Sequence, residues 1–332
     1  MRPDGGSTLD AAPQDGGADA AADDAATQDD GPPVDGGSRD TGGTDLGGDP
    51  SGPCQAWAAP ASVGSAGDAN LLEASGVVVG RADPSRLWLH NDSGDAAVLY
   101  ALATADGAAL GRWRMVGVDA VDFEDLAAAP CPGDGAPCLW VGDIGDNNQV
   151  RQNARLLVVP EPPPGDRPGP VLPRLTLPLQ YPEGPVDAEA LLVAPDGEAF
   201  WIIEKGAAEG QSRIFEGRGP FADEVPVVLT TVGSITAPGL LVTGADLSPD
   251  GRQVLVRTYT ATTAYDLAEE QTPADLGAVA GRTAARGPLS EQQGEAVGFA
   301  EDGRSFWTVS EVRGSTDPPP VHFYRCTNPE AP

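Results

Sequence analysis

The chain has 332 residues, with 20 Lys and Arg against 50 Asp and Glu, for a formal charge of −30. A polyanion of this strength repels nucleic acid and anionic lipid, so the charge excludes both as partners and favours divalent cations and neutral or cationic ligands. No stretch approaches the roughly 18 apolar residues of a membrane span, so no transmembrane segment is expected, and the N-terminus has no apolar export core.

Residues 1–52 come first. They contain no aromatic residue, and twelve Asp and no Glu stand against Arg2 and Arg39. The remainder is mostly Ala, Gly, Pro, Ser and Thr, with Asp-Gly-Gly recurring at 15–17 and 35–37. Such a segment cannot bury enough apolar surface to offset its ordering entropy. It is expected to be a disordered acidic tether, leaving 53–332 as the folded domain. It resembles the tethers that follow the lipidated cysteine of bacterial surface lipoproteins, although it carries no lipobox cysteine.

From Trp57 onward, short apolar or alternating runs are bounded by Asp-Gly, Pro and Gly turns, with no long 3.6-residue period. This is an all-β pattern. Five segments share one plan: an acidic residue, a short apolar strand, a tight turn, then a second apolar strand that usually holds Trp and ends in polar residues. They begin near Glu73, Glu124, Glu189, Asp246 and Glu295, and their second strands contain Trp88, Trp140, Trp201, Val254-Leu255-Val256 and Trp307. The markers are spaced by 51, 65, 57 and 49 residues. A four-stranded propeller blade needs about 40–50 residues plus loops, so each interval holds one blade.

The predicted architecture is therefore a β-propeller of four-stranded blades, five by the marker count, with room for a sixth in 266–290. Third and fourth strands are expected at 98–102 and 110–113, at 156–159 and 175–177, and at 213–215 and 227–229. The fifth hairpin is followed by one strand only, 321–325, so the N-terminal segment 54–63 is expected to supply the missing outer strand and close the ring.

The four cysteines form no Cys-x-x-Cys pair. Ring closure would bring Cys54 beside Cys326, and Cys131 and Cys138 bracket a short turn that a local disulfide could close. An even cysteine count of this kind points to an oxidising compartment, hence to a secreted protein or cell-surface lipoprotein whose signal or anchor is missing from this chain. The alternative is a cytoplasmic protein with four free thiols.

In a propeller, the start of each innermost strand and the end of the next lie at one mouth of the central channel. The starts offer Glu73, Asp122, Glu124, Asp125, Asp187, Glu189, Asp246 and Glu295. The ends offer His90, Asn91, Asp92, Asp143, Asp146, Asn147, Glu204, Lys205, Arg257, Tyr259 and Glu311. Clustered carboxylates take up protons or a cation, and hard oxygen donors suit Ca²⁺. The expected metal ligands are Glu73, Glu124, Asp143, Asp146, Glu189, Asp246 and Glu295. Asn91, Asp92, Lys205, Arg257, Tyr259 and Glu311 are the candidates for contacting a ligand. The same acids could equally accept hydrogen bonds from channel-facing backbone amides, without any metal.

The phrases Asp187-Ala188-Glu189-Ala190-Leu191, Thr243-Gly244-Ala245-Asp246-Leu247-Ser248-Pro249-Asp250-Gly251 and Gly294-Glu295-Ala296-Val297 resemble the repeat signatures of secreted bacterial propellers. They are similar to those of esterase-like phytase-domain proteins and, more loosely, of TolB-like and SMP-30-like propellers. The resemblance implies an exported propeller with Ca²⁺ and a phosphoesterase activity, and it transfers no catalytic residue. Two functional expectations follow. One is a monomeric surface propeller that binds a small molecule or protein at a Ca²⁺-bearing channel mouth. The other is a metal-dependent phosphate-ester hydrolase in which Lys205 and Arg257 clamp the anion.

Overall fold

The computed structural model describes residues 52–206, 210–236, 241–288, 291, 293–312 and 317–328. Nearly all of the expected tether, residues 1–51, lies outside the described residues.

All five predicted hairpins form. Their turns show why the chain reverses where it does. In Asp196-Gly197, Asp250-Gly251 and Asp302-Gly303 the Asp side chain accepts the amide two residues on, at 2.9, 3.0 and 2.9 Å. The Gly takes φ of +73°, +72° and +63°, which side chains disfavour. One turn geometry thus recurs in blades 3, 4 and 5.

Five antiparallel blades result. Blade 1 runs Ala74–Val79, Arg86–Asn91, Val98–Ala103 and Ala109–Met115. Blade 2 is Phe123–Pro130, Pro137–Asp143, Arg155–Pro160 and Leu175–Gln180, and blade 3 is Ala188–Val193, Ala199–Glu204, Gln211–Arg218 and Thr230–Thr236. Blade 4 consists of Val242–Leu247, Gln253–Thr258, Ala261–Asp266 and Arg282–Arg286. In blade 5, Gln293–Phe299, Phe306–Glu311 and Pro320–Tyr324 are completed by the N-terminal strand Ala61–Ser65. Trp57 bridges Cys326, and disulfides join Cys54 to Cys326 and Cys131 to Cys138. The closing strand sits a few residues later than the expected 54–63, and the stretch before it still pairs with the C-terminal segment, Ala58 N donating to Arg325 O and Thr327 N to Ala56 O.

Two sequence expectations shift. Among the described residues of the stretch 266–290 there is no sixth blade; they form a 3₁₀ turn, Pro273–Ala278, and the outer strand of blade 4. Residues 227–229 are not the outer strand of blade 3. Val227–Val228 pairs in parallel with Leu175–Gln180 of blade 2, and the less apolar Thr230–Thr236 takes the edge of blade 3. Conspicuous apolar residues marked the wrong segment, since an outer strand needs only one buried face.

The blades pack through five apolar cores. Trp88 lies between blades 1 and 2, Trp140 between 2 and 3, Trp201 between 3 and 4, Phe306 between 4 and 5, and Trp307 between 5 and 1. Trp88 and Trp140 are completely buried. Each large ring is therefore packing mass that sets the blade spacing around the channel.

Candidate functional site

The chemistry gathers where the five innermost strands begin. Each innermost hairpin carries a register shift at its first turn of pairing, so one residue is extruded from the ladder. The extruded residues are Ser75, Glu124, Glu189, Thr243 and Glu295. A bulge re-aims a side chain, and five equivalent bulges build a ring. Ser75 Oγ donates to Glu124 O at 2.6 Å and Thr243 Oγ1 to Gly294 O at 2.9 Å, which ties neighbouring blades together. The other three positions are glutamates.

Around Glu124 and Glu189 the carboxylates crowd. Oxygens of Asp92, Asp122 and Glu124 lie within 4.8 Å of one another, as do those of Glu124, Asp187 and Glu189. Three blades contribute. Asp187 Oδ1 accepts from Asp146 N at 2.9 Å, and Lys205 Nζ forms an ion pair with Glu189 Oε1. Asp122 is only 9% exposed, yet its Oδ1 has no hydrogen-bond partner.

The backbone of Gly145 presses against this cluster. A β-carbon there would overlap Glu124 Oε1 and come within 2.6 Å of Asp122 Oδ2. Gly145→Ala is accordingly expected to cost about 2 kcal/mol in denaturant unfolding. A loss below about 0.5 kcal/mol would show that the loop has room to move away from the acids.

Burial raises the proton affinity of these acids, and their mutual repulsion adds to it. Asp122 is pushed up to about 6, with Asp92 the next contributor. Glu189 rises to about 7 although Lys205 opposes the shift. Burial and the Glu189 charge hold Glu124 well above the usual carboxylate range. Glu295 goes to about 9, again through burial and then Glu189. Burial would lower Lys205, but Glu189 outweighs it and keeps the ammonium charged. Carboxylates crowded in this way can hold either protons or a cation.

The remaining expected residues are placed as follows. Asp143 is fully buried and paired with Arg151 at 2.7 Å and Arg155 at 3.1 Å, while Asp146 Oδ2 accepts from Arg151 N at 2.6 Å. Both brace the 143–151 loop outside the two carboxylate clusters. Glu73 sits two positions before the ring residue Ser75. It pairs by backbone with Glu311, and burial and the Glu311 charge raise its proton affinity. Glu311 in turn accepts from Gln293, which also donates to Glu295. Asn91 is a loop brace, accepting from Glu73 N and donating to Asn70 O and Asp95. Tyr259 lies near Lys205. Arg257 is completely buried, paired with Glu291 and bonded to Thr262 at 3.0 Å. Asp246 follows the ring residue Thr243 by three positions and lies towards the opposite end of its strand. His90 is fully buried against Phe123, and burial keeps it neutral.

Asp125 has a separate role. Its carboxylate is fully buried and accepts from Leu126 N at 2.9 Å, Leu191 N at 2.8 Å and Ala245 N at 3.1 Å. One side chain thus ties blade 2 to blades 3 and 4.

No protein-family model matches the chain, and no curated protein matches it. The fold has solved relatives. Among the similar structures is the PQQ-bound aldose sugar dehydrogenase of Streptomyces coelicolor, at 11% identity and TM-score 0.46, covering 80% of this chain and 98% of that one. Another is the Dos1 propeller, at 11% identity and TM-score 0.36, covering 78% and 69%. This chain is a β-propeller. Likeness at that level carries no argument about function. Among the described residues no helix is long and apolar enough to cross a membrane.

Proposed function

We infer that this propeller holds a divalent cation, with Ca²⁺ the best match, at the channel mouth and uses it to capture a small-molecule or protein ligand. The observation that carries the reading is the convergence of Asp92, Asp122, Glu124, Asp187 and Glu189 from three blades, with Asp122 Oδ1 left without a partner. Ligand oxygens stand about 2.3–2.6 Å from Ca²⁺, so donor pairs around one ion lie up to about 5 Å apart. The oxygen spacing in both clusters falls inside that limit. All donors are hard carboxylates, and neither His90 nor His322 belongs to the clusters, which favours Ca²⁺ over zinc. The two disulfides support an extracytoplasmic location. On this reading the acidic segment 1–52 is a spacer that holds the propeller away from its attachment point. Both cations needed for the phosphate-ester reading are occupied, Lys205 by Glu189 and Arg257 by Glu291, so ligand capture is preferred to hydrolysis.

Titrating Ca²⁺ into chelator-treated protein should raise the thermal midpoint progressively above the dissociation constant, the stability gain reaching about 3 kcal/mol at a hundredfold excess over it. Glu124→Gln and Glu189→Gln should each abolish most of the rise, whereas Glu73→Gln and Asp246→Asn should keep it. No shift with Ca²⁺, Mg²⁺ or Mn²⁺ at millimolar concentration overturns the reading.

A further inference from the structure

The opposite end of the channel contains a second cavity, of about 300 Å³, where the innermost strands finish. Its walls come from four blades and are largely apolar: Val78, Ala128, Leu247, Pro249 and Phe299. Three charged residues line it, Arg81, Asp246 and Glu301. This is the size range of small-ligand pockets, with few polar groups among apolar walls.

Arg81 and Asp246 are held in place independently of each other. Asp246 Oδ2 accepts from Phe299 N at 2.7 Å and Oδ1 from Leu247 N at 2.9 Å, which fixes the carboxylate and leaves it acceptor capacity towards the cavity. Arg81 Nε donates to Ala128 O at 2.8 Å, and its two terminal nitrogens donate to no described residue. The loop that carries it is pinned from blade 2. Glu161 Oε2 accepts from Arg81 N and Ala82 N, both at 2.9 Å, and Glu161 Oε1 accepts from Trp88 Nε1 at 3.1 Å. Arg81 and Asp246 feel each other's charge without forming an ion pair. A guanidinium and a carboxylate thus line one cavity without pairing with each other.

We propose that this cavity binds a small zwitterion with an apolar body, of the α-amino acid class, its ammonium directed at Asp246 and its carboxylate at Arg81. A simple anion would meet the Asp246 and Glu301 charges. A simple cation would leave the Arg81 fork unpaired. A zwitterion satisfies both fixed groups, and its side chain takes the Val78, Leu247 and Phe299 wall. The site shares no residue with the two carboxylate clusters and does not rest on the metal reading.

The test is calorimetric titration of the full chain with the common apolar amino acids, leucine and phenylalanine first, followed by 4-methylpentanoate, which lacks the ammonium. Saturable binding of at least one amino acid is expected, weakened roughly tenfold or more by Arg81→Met and by Asp246→Asn, and absent with 4-methylpentanoate. Arg81 is exposed and its loop is held through backbone amides, so Arg81→Met should fold even if Asp246→Asn does not. Glu189→Gln should leave this binding unchanged, which separates it from the cation site. Failure of every apolar amino acid to bind, or binding that is indifferent to Arg81→Met, overturns the proposal.

Discussion

Replacing Asp125 by Ala lowers the stability of the propeller by about 5 kcal/mol. The carboxylate satisfies three backbone amides, Leu126, Leu191 and Ala245, and none of it reaches solvent. Truncation leaves three donors in a space that water must enter or that stays unpaired, and each such donor costs about 1–3 kcal/mol. Two of the lost bonds are contacts between blades, so the ring loses a cross-tie as well as local order. Asp125→Asn should be milder, at about 2 kcal/mol, because its amide oxygen still accepts while its NH₂ opposes one donor. Denaturant unfolding at constant pH measures both. A loss under about 1 kcal/mol for Asp125→Ala would show that blades 3 and 4 are held to blade 2 without this side chain.

Raising the pH from 5 to 9 destabilises the metal-free protein by at least about 3 kcal/mol. Burial lifts Asp122 to about 6, Glu189 and Asp246 to about 7 and Glu295 to about 9. In the unfolded chain these groups ionise near 4. Between those limits the folded state binds more protons than the unfolded state, so stability falls as pH climbs through the raised values. The shift of Glu189 alone corresponds to about 3 kcal/mol. The opposite trend governs acid. Asp68, Asp266 and Glu291 are lowered, Glu291 to about 2, and their contribution disappears as pH falls below the ordinary carboxylate range. The stability maximum should therefore lie near pH 5. Saturating Ca²⁺ should remove the share of the alkaline loss that comes from Asp122, Glu124 and Glu189, whose protons an ion replaces, and leave the share from Asp246 and Glu295. Thermal midpoints from pH 4 to 9, with chelator and with Ca²⁺, test both statements. A metal-free midpoint that rises towards pH 8 would mean the mouth acids ionise without penalty.

Much of this molecule can be read from its residues in order. The all-β class follows from short apolar runs between turn residues, and the five blades follow from the spacing of five Asp/Glu-strand-turn-strand units. The Cys54–Cys326 pairing was legible because blade 5 lacks one strand and the chain has an N-terminal strand to spare. These are local or counting arguments, and composition and periodicity suffice for them. Which acids meet was decided only by pairing. Glu73 and Asp246 serve as repeat markers in the sequence, but the hairpin bulges that build the ring fall at Ser75 and Thr243, two positions after Glu73 and three before Asp246. Arg257 reads as a strand-end cation available to a ligand at the mouth, yet it is buried and paired with Glu291, distant in sequence. Asp143 and Asp146 read as loop ligands, yet Arg151 and Arg155 hold them. The Arg81–Asp246 cavity left no local signal, since its charges and walls come from four blades. Periodicity determines which strands exist and roughly where their ends lie. Partners far apart in the chain decide which of the polar residues at those ends remain free to bind, because desolvation and pairing depend on neighbours that only the closed ring supplies.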